Sequence, residues 1–185
     1  MRINPVLLLL APAWLLWFAP FVLAHRRGGS KVPQTVDRRA RWGIALQGLS
    51  FALVWFRLFW IYRPSPVRVG IGIALLCAAI LLSWTGARTL GRQWRVDAGL
   101  NVDHELVRTG PYRLVRHPIY SSMLALMLGT ASLLSRPSVL FVATLVHIAG
   151  TEIRVRTEDH LLAARFGAAF ETFRREVPAY LPFVR

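Results

Sequence analysis

HPIYSSMLALMLGTASLLSRPSVLFVATLVHIAG, residues 117 to 150, sets two apolar runs end to end with only Arg136 and Pro137 to turn the chain between them. The runs 117–134 and 138–150 read as membrane spans, and the tight turn predicts an antiparallel helical hairpin. Just before the first run, GPYRLVR (110–116) brings Arg113 and Arg116 up to His117, with Tyr120 at the span mouth. Just after the second, TEIRVRTEDH (151–160) continues as a helix into charged sequence. Polar groups therefore collect at the same end of both helices.

The rest of the composition agrees with a membrane setting. The chain has 185 residues, enough for a single domain over 1–185 and no second folded unit. It is 55% hydrophobic with a mean hydropathy of +0.43, too apolar for a soluble domain of this size. A formal net charge of +14 would suggest nucleic acid on a soluble protein, but here the cations stand in short blocks between apolar runs. A positive-inside bias explains them, and no nucleic-acid partner is implied. The single cysteine, Cys77, excludes an internal disulfide, and no metal-ligand spacing occurs.

Working outward, further spans are predicted over 5–24, 43–62 and 67–84, with Pro64 and Pro66 marking a turn. Residues 5–24 could be a signal peptide, but only Arg2 precedes them and the run is too long for an h-region. Eighteen of the 23 cationic residues fall in segments 25–42, 85–116 and 151–185, as do all nine acids. Five spans with those segments cytoplasmic place the N-terminus outside and the C-terminus inside, in a multi-pass protein of a bacterial-type inner membrane. In the tail, Leu162, Phe166, Ala169, Phe170, Phe173 and Val177 recur at helical steps up to Pro178. The fold class is all-α: an integral-membrane bundle of about five transmembrane helices, closed by an amphipathic cytoplasmic helix at the membrane surface or over a pocket.

Each polar residue also has a plain structural reading. Arg113 and Arg116 suit interfacial anchors, His117 before Pro118 suits a helix start, and Tyr120 suits an aromatic belt. Glu152, Arg154, Arg156 and Glu158 suit a solvated helical face with ion pairs four residues apart. Gly70 and Gly72 suit close helix packing, while His147 and Arg57 are intramembrane polar groups without an assigned role. What those readings leave unexplained is why both clusters abut paired helix ends on one side of the membrane. A pocket there explains it.

Two motifs now stand out. G-P-Y-x-x-x-R-H-P-x-Y, Gly110 to Tyr120, resembles the central motif of the isoprenylcysteine carboxyl methyltransferases. The tail from Arg154 to Pro182 resembles their C-terminal signature, with Asp159 in place of the second glutamate and Phe170 and Phe173 where tyrosines are frequent. The resemblance covers about residues 85–185. It implies an integral-membrane O-methyltransferase that uses S-adenosyl-L-methionine. By position, the cofactor pocket would take His104, Glu105, Leu106, Val107, Tyr112, His117, Pro118, Ile119, Tyr120 and Glu158, while Arg154 falls where the family places its substrate-contacting arginine. Asp97 stands in a loop of variable length and is left unassigned.

The chemistry suits those roles. Methyl transfer to a carboxylate is an in-line displacement that removes no proton, so it needs alignment and exclusion of water rather than a base. The donor would enter from the cytosol and a lipophilic or lipidated, prenylcysteine-like acceptor from the bilayer; no obligate protein partner is implied. Similar membrane enzymes methylate phospholipid amines, and NADPH-dependent membrane reductases share an R-H-P-x-Y pattern, though with more spans and a cysteine motif absent here. A non-catalytic protein binding anionic lipid is the remaining alternative.

Overall fold

A computed structural model describes residues 6–27, 33–36, 38–61, 63–94, 99–101 and 104–182. Asp97, unassigned from sequence, lies outside them. The elements are α1 (Val6–Arg27), β1 (Pro33–Val36), α2 (Ala40–Trp55), α3 (Pro66–Leu90), β2 (Gly99–Asn101), α4 (Pro118–Leu134), α5 (Pro137–Phe166) and α6 (Ala168–Glu176). Helix α4 packs chiefly on α3, and α5 on α2. The expected hairpin thus forms with a helix laid along each arm. Helix α1 crosses α3 and reaches α4, where Trp14 and Trp17 donate through Nε1 to Thr130 and Ser122, each at 3.2 Å.

The all-α membrane bundle read from the sequence is what folds. Among the described residues three helices, α1, α3 and α5, are long and apolar enough to cross a membrane. At 25 residues α3 is about 38 Å long at the usual rise per residue, enough for a hydrocarbon core. The second and fourth expected spans are shorter helices, of 16 and 17 residues. Large apolar side chains such as Leu8, Leu15, Leu81 and Phe141 face outward. In lipid, unlike water, such a surface costs nothing.

Several boundaries differ from the sequence-based expectation, each for a local reason. Span two, expected over 43–62, ends as a helix at Trp55, because Phe56 is extended and the Val54 carbonyl is taken by Trp60 Nε1 at 3.1 Å. Arg57 therefore sits in a 3₁₀ turn beyond the helix, exposed, with its guanidinium over the Trp60 ring at 5.7 Å. The tail helix is two helices. Gly167, at φ +52°, stops α5, and its N–H bonds to Ala163 O at 2.9 Å; few residues other than glycine tolerate that backbone. The loops expected to be irregular meet in a two-stranded antiparallel ribbon, β1 with β2. Strands of four and three residues are too short to show alternation.

Close approach decides the helix pairs. Gly43 and Gly150 face each other across α2 and α5, and a Cβ built on Gly150 would lie 2.7 Å from Gly43 O and 2.9 Å from Leu46 Cβ. Gly72 does the same for α3 against α4, 2.7 Å from Leu133 Cγ, whereas Gly70 has nothing near it and the packing role expected of it falls away.

Gly150→Ala should therefore push α2 off α5 and lower the stability of the detergent-purified protein by about 1–3 kcal/mol. Gly48→Ala, on the same α2 helix with open space around it, should leave the melting temperature unchanged or raise it slightly. Thermal melts of the two variants beside wild type check this.

Candidate functional site

The Pro118 ring opens α4 at its first helical position, and His117 caps it from outside the helix. From there the site is built by what reaches His117. Its backbone N–H bonds to Ala179 O at 2.8 Å, and the neighbouring Arg116 N–H bonds to Pro178 O at 2.9 Å. Ser121 Oγ donates to Tyr180 O at 2.6 Å. The V-P-A-Y tail is thus docked on the start of α4, which is why the two sequence motifs belong together.

The His117 ring is clamped from α5. Its Nδ1 lies 3.4 Å from Glu158 Oε2, and its Nε2 lies 2.9 Å from Asp159 Oδ1. An imidazole facing a carboxylate at each nitrogen donates from both, which is the hydrogen-bonding pattern of the imidazolium. Asp159 also takes Arg116 Nη2 at 2.8 Å, and Arg116 Nη1 reaches the carbonyls of Arg174 and Val177. Glu158 accepts from the Tyr120 hydroxyl and lies 3.8 Å from Arg154 Nη2, whose guanidinium also sits over the Tyr120 ring at 4.9 Å. Tyr120 in turn stacks on His117 with centroids 5.6 Å apart. The cluster holds three cations, Arg116, His117 and Arg154, against two anions, Glu158 and Asp159. One positive charge is left over.

The α5 helix divides its charges between two faces. Arg156 and Glu152 form an i,i+4 pair at 3.2 Å in the open, of the kind worth about 0.2–1 kcal/mol. Arg154 and Glu158 form the other pair on the cavity side, where Arg154 is buried. The solvated-face reading holds for the first pair and fails for the second.

Every site residue singled out from sequence lines one cavity of about 320 Å³, except Pro118. Arg154, Glu158, His117 and Tyr120, already joined by the contacts above, line it together with Tyr112, Ile119 and the stretch His104, Glu105, Leu106 and Val107. Pro118 is buried under α3 beside Gly86. Burial, and secondarily the Glu158 charge, hold the Tyr112 phenol well above its ordinary pKa, so it is a neutral hydroxyl at any physiological pH.

Sequence reasoning missed part of the wall. Helix α1 supplies Trp17, Phe18 and Phe21, and the Trp94 ring lies against Phe21, tilted, with centroids 5.3 Å apart. From sequence the three α1 residues carry hydropathy alone, since nothing in an apolar span marks which side faces a cavity, and Trp94 falls in a polar, turn-rich segment. The plain reading of Arg116 as an interfacial anchor fails: its side chain is 8% exposed, lines the cavity, and its Nε is without a partner among the described residues. The cavity lining thus holds both charged and aromatic side chains. That suits a ligand pair with one polar and one greasy member.

Residues 71–164 match the profile of the isoprenylcysteine carboxyl methyltransferase (ICMT) family. The chain is similar to the protein-S-isoprenylcysteine O-methyltransferase of Schizosaccharomyces pombe, 36% identical over 129 residues, which are 69% of this chain and 52% of that protein. Protein-S-isoprenylcysteine O-methyltransferase B of Arabidopsis thaliana is 31% identical over 116 residues, 61% of this chain and 58% of that one. Methanethiol S-methyltransferase 2 of Bradyrhizobium diazoefficiens is 26% identical over 148 residues, 71% and 56% of the two chains. The chain spans between half and three-fifths of the length of these relatives.

The buried Arg116–Asp159 pair pins the tail. Arg116→Met should cost about 3–5 kcal/mol, because Asp159 keeps its charge and loses a partner. Adding Asp159→Asn should recover part of that loss. Chemical denaturation of the two variants and of Asp159→Asn alone measures the coupling.

Proposed function

The chain belongs to the isoprenylcysteine carboxyl methyltransferase family, and from that premise we propose that it methylates the carboxylate of a lipophilic, prenylcysteine-like acceptor with S-adenosylmethionine as donor. The observation that carries the reading is the cavity itself, whose lining joins the His117–Glu158–Arg154 cluster to aromatic side chains of α1. The charged cluster would face the cytosol in a multi-pass bacterial-type inner-membrane protein with its N-terminus outside. The aromatic residues would receive the acceptor chain from the bilayer.

The residues present fit the donor. The Arg116 Nε, buried on the cavity wall without a partner among the described residues, suits its carboxylate. Glu158 has lone pairs beyond those engaged by Tyr120 and His117, and these suit an ammonium or a ribose hydroxyl. The stacked His117 and Tyr120 rings and the stretch 104–107 would complete the pocket around it. When bound, S-adenosylmethionine supplies a methyl group on a sulfonium, which a carboxylate oxygen displaces directly as the C–S bond breaks and a C–O bond forms.

The chain's own part is to hold and align. The surplus positive charge of the cluster favours an anionic acceptor beside it. Arg154 would orient the acceptor carboxylate by a charge-assisted fork. The aromatic wall would exclude water from the nucleophile. Amine methylation is the second reading. It needs a base to remove a proton; His117 has both ring nitrogens held on carboxylates, so that role would fall to His104, which lines the same cavity.

Purified protein given methyl-labelled donor should label an N-acetyl S-prenylcysteine in a base-labile form. Label resistant to base in phosphatidylethanolamine, or on a small thiol, would contradict the ester assignment. Glu158→Gln should weaken donor affinity by about 10–100-fold, the range of a lost hydrogen bond to a charged group. Calorimetry with the donor's demethylated product checks that arm.

A further inference from the structure

Helix α2 lies outside residues 71–164, and two of its residues hold Arg154. A Cβ on Gly43 would lie 2.4 Å from Arg154 Cγ and 2.6 Å from Gly150 O, so the aliphatic stem of Arg154 runs across bare backbone. One turn on, Gln47 is 2% exposed, and its Oε1 accepts from Arg154 Nη1 at 3.4 Å. The other end of the amide is also used: Nε2 donates to Thr151 Oγ1 at 3.0 Å. The guanidinium sets which way the amide faces: reversed, the NH₂ would stand against it, donor against donor, whereas the Thr151 hydroxyl can pair with either end.

Arg154 is therefore fixed from both sides. Nη1 is directed to Gln47 from α2, and Nη2 to Glu158 one turn along α5. The Tyr120 ring covers a face at 4.9 Å. A long side chain with many rotamers is confined to one. Gln47 does this without charge, so it orients the guanidinium without adding a second anion to the Glu158 carboxylate it already faces. A carboxylate at 47 could hold the same geometry but would add that anion.

We propose that Gln47 is the positioning residue of Arg154, setting the guanidinium for an acceptor carboxylate and so governing acceptor recognition rather than donor binding. This rests on the reading of Arg154 as the acceptor-orienting cation. Thr151 is the second link, since its hydroxyl holds the amide in register.

The test measures the affinity of the full-length protein for an N-acetyl S-prenylcysteine and for S-adenosylhomocysteine by calorimetry, together with the acceptor KM. Gln47→Leu and Gln47→Glu should each weaken acceptor binding about tenfold and leave the second ligand within about twofold. In an Arg154→Ala background, Gln47→Leu should add less than about twofold, because the group it positions is gone. Equal losses in both backgrounds, or equal losses for both ligands, would mark Gln47 as merely structural and overturn the proposal. If Arg154→Ala itself leaves acceptor affinity unchanged, the reading of Arg154 falls and the proposal with it. If Arg154→Ala weakens the acceptor and Gln47→Leu does not, only the proposal falls. Should Gln47→Leu fail to fold, Thr151→Val carries the same expectation at about threefold, with Thr151→Ser restoring wild-type affinity. Wild-type affinity in Thr151→Val would then overturn the proposal.

Discussion

The imidazole of His117, held between the carboxylates of Glu158 and Asp159, joins the start of one membrane helix to the far end of the next. Nearly everything in the site depends on that clamp. It engages α5 about two turns past the apolar part of its span, where charged residues are still helical, and presents them to the mouth of α4. It also leaves the two carboxylates with oxygens for Arg116, Tyr120 and Arg154. A buried charge cluster of this kind is costly unless every member is satisfied, and its near-complete pairing is the reason it can exist at the edge of an apolar bundle.

Around the clamp, two different packing rules operate. Between α2 and α5, and between α3 and α4, bare glycine backbone lets the helices approach closely, as expected where lipid removes the hydrophobic drive between helices. Between α1 and α4, tryptophan side chains bond to hydroxyls across the interface. The first rule fixes where Arg154 can go. The second sets the aromatic wall of the cavity.

Much of this was legible in the sequence, and the reasons are specific. The 117–150 hairpin could be read because two apolar runs share a Pro-marked turn. The cavity-lining residues of 112–120 and 154–158 could be located because they sit in two motifs long enough to be distinctive, and those of 104–107 by their place just before the first. The contributions of α1 and α2 could not. Apolar spans carry no periodic signal that separates a lipid-facing Leu15 from a buried Leu10, or a wall residue such as Trp17 from any other interfacial tryptophan. Gln47 is one polar residue in an apolar helix, and its meaning comes only from Thr151 and Arg154, 104 and 107 residues away. The break at Gly167 was legible in principle, since a glycine within a helical pattern is a candidate cap. The intact apolar stripe on both sides of it pointed the other way.

The most direct measurement is calorimetric titration of the intact, detergent-purified protein with S-adenosylmethionine. Saturable binding at one site per chain, abolished by His117→Ala in a protein that still melts cooperatively, is the predicted result. No binding to folded wild-type protein, or binding indifferent to His117, would mean that the clamp holds the helices together and does nothing more.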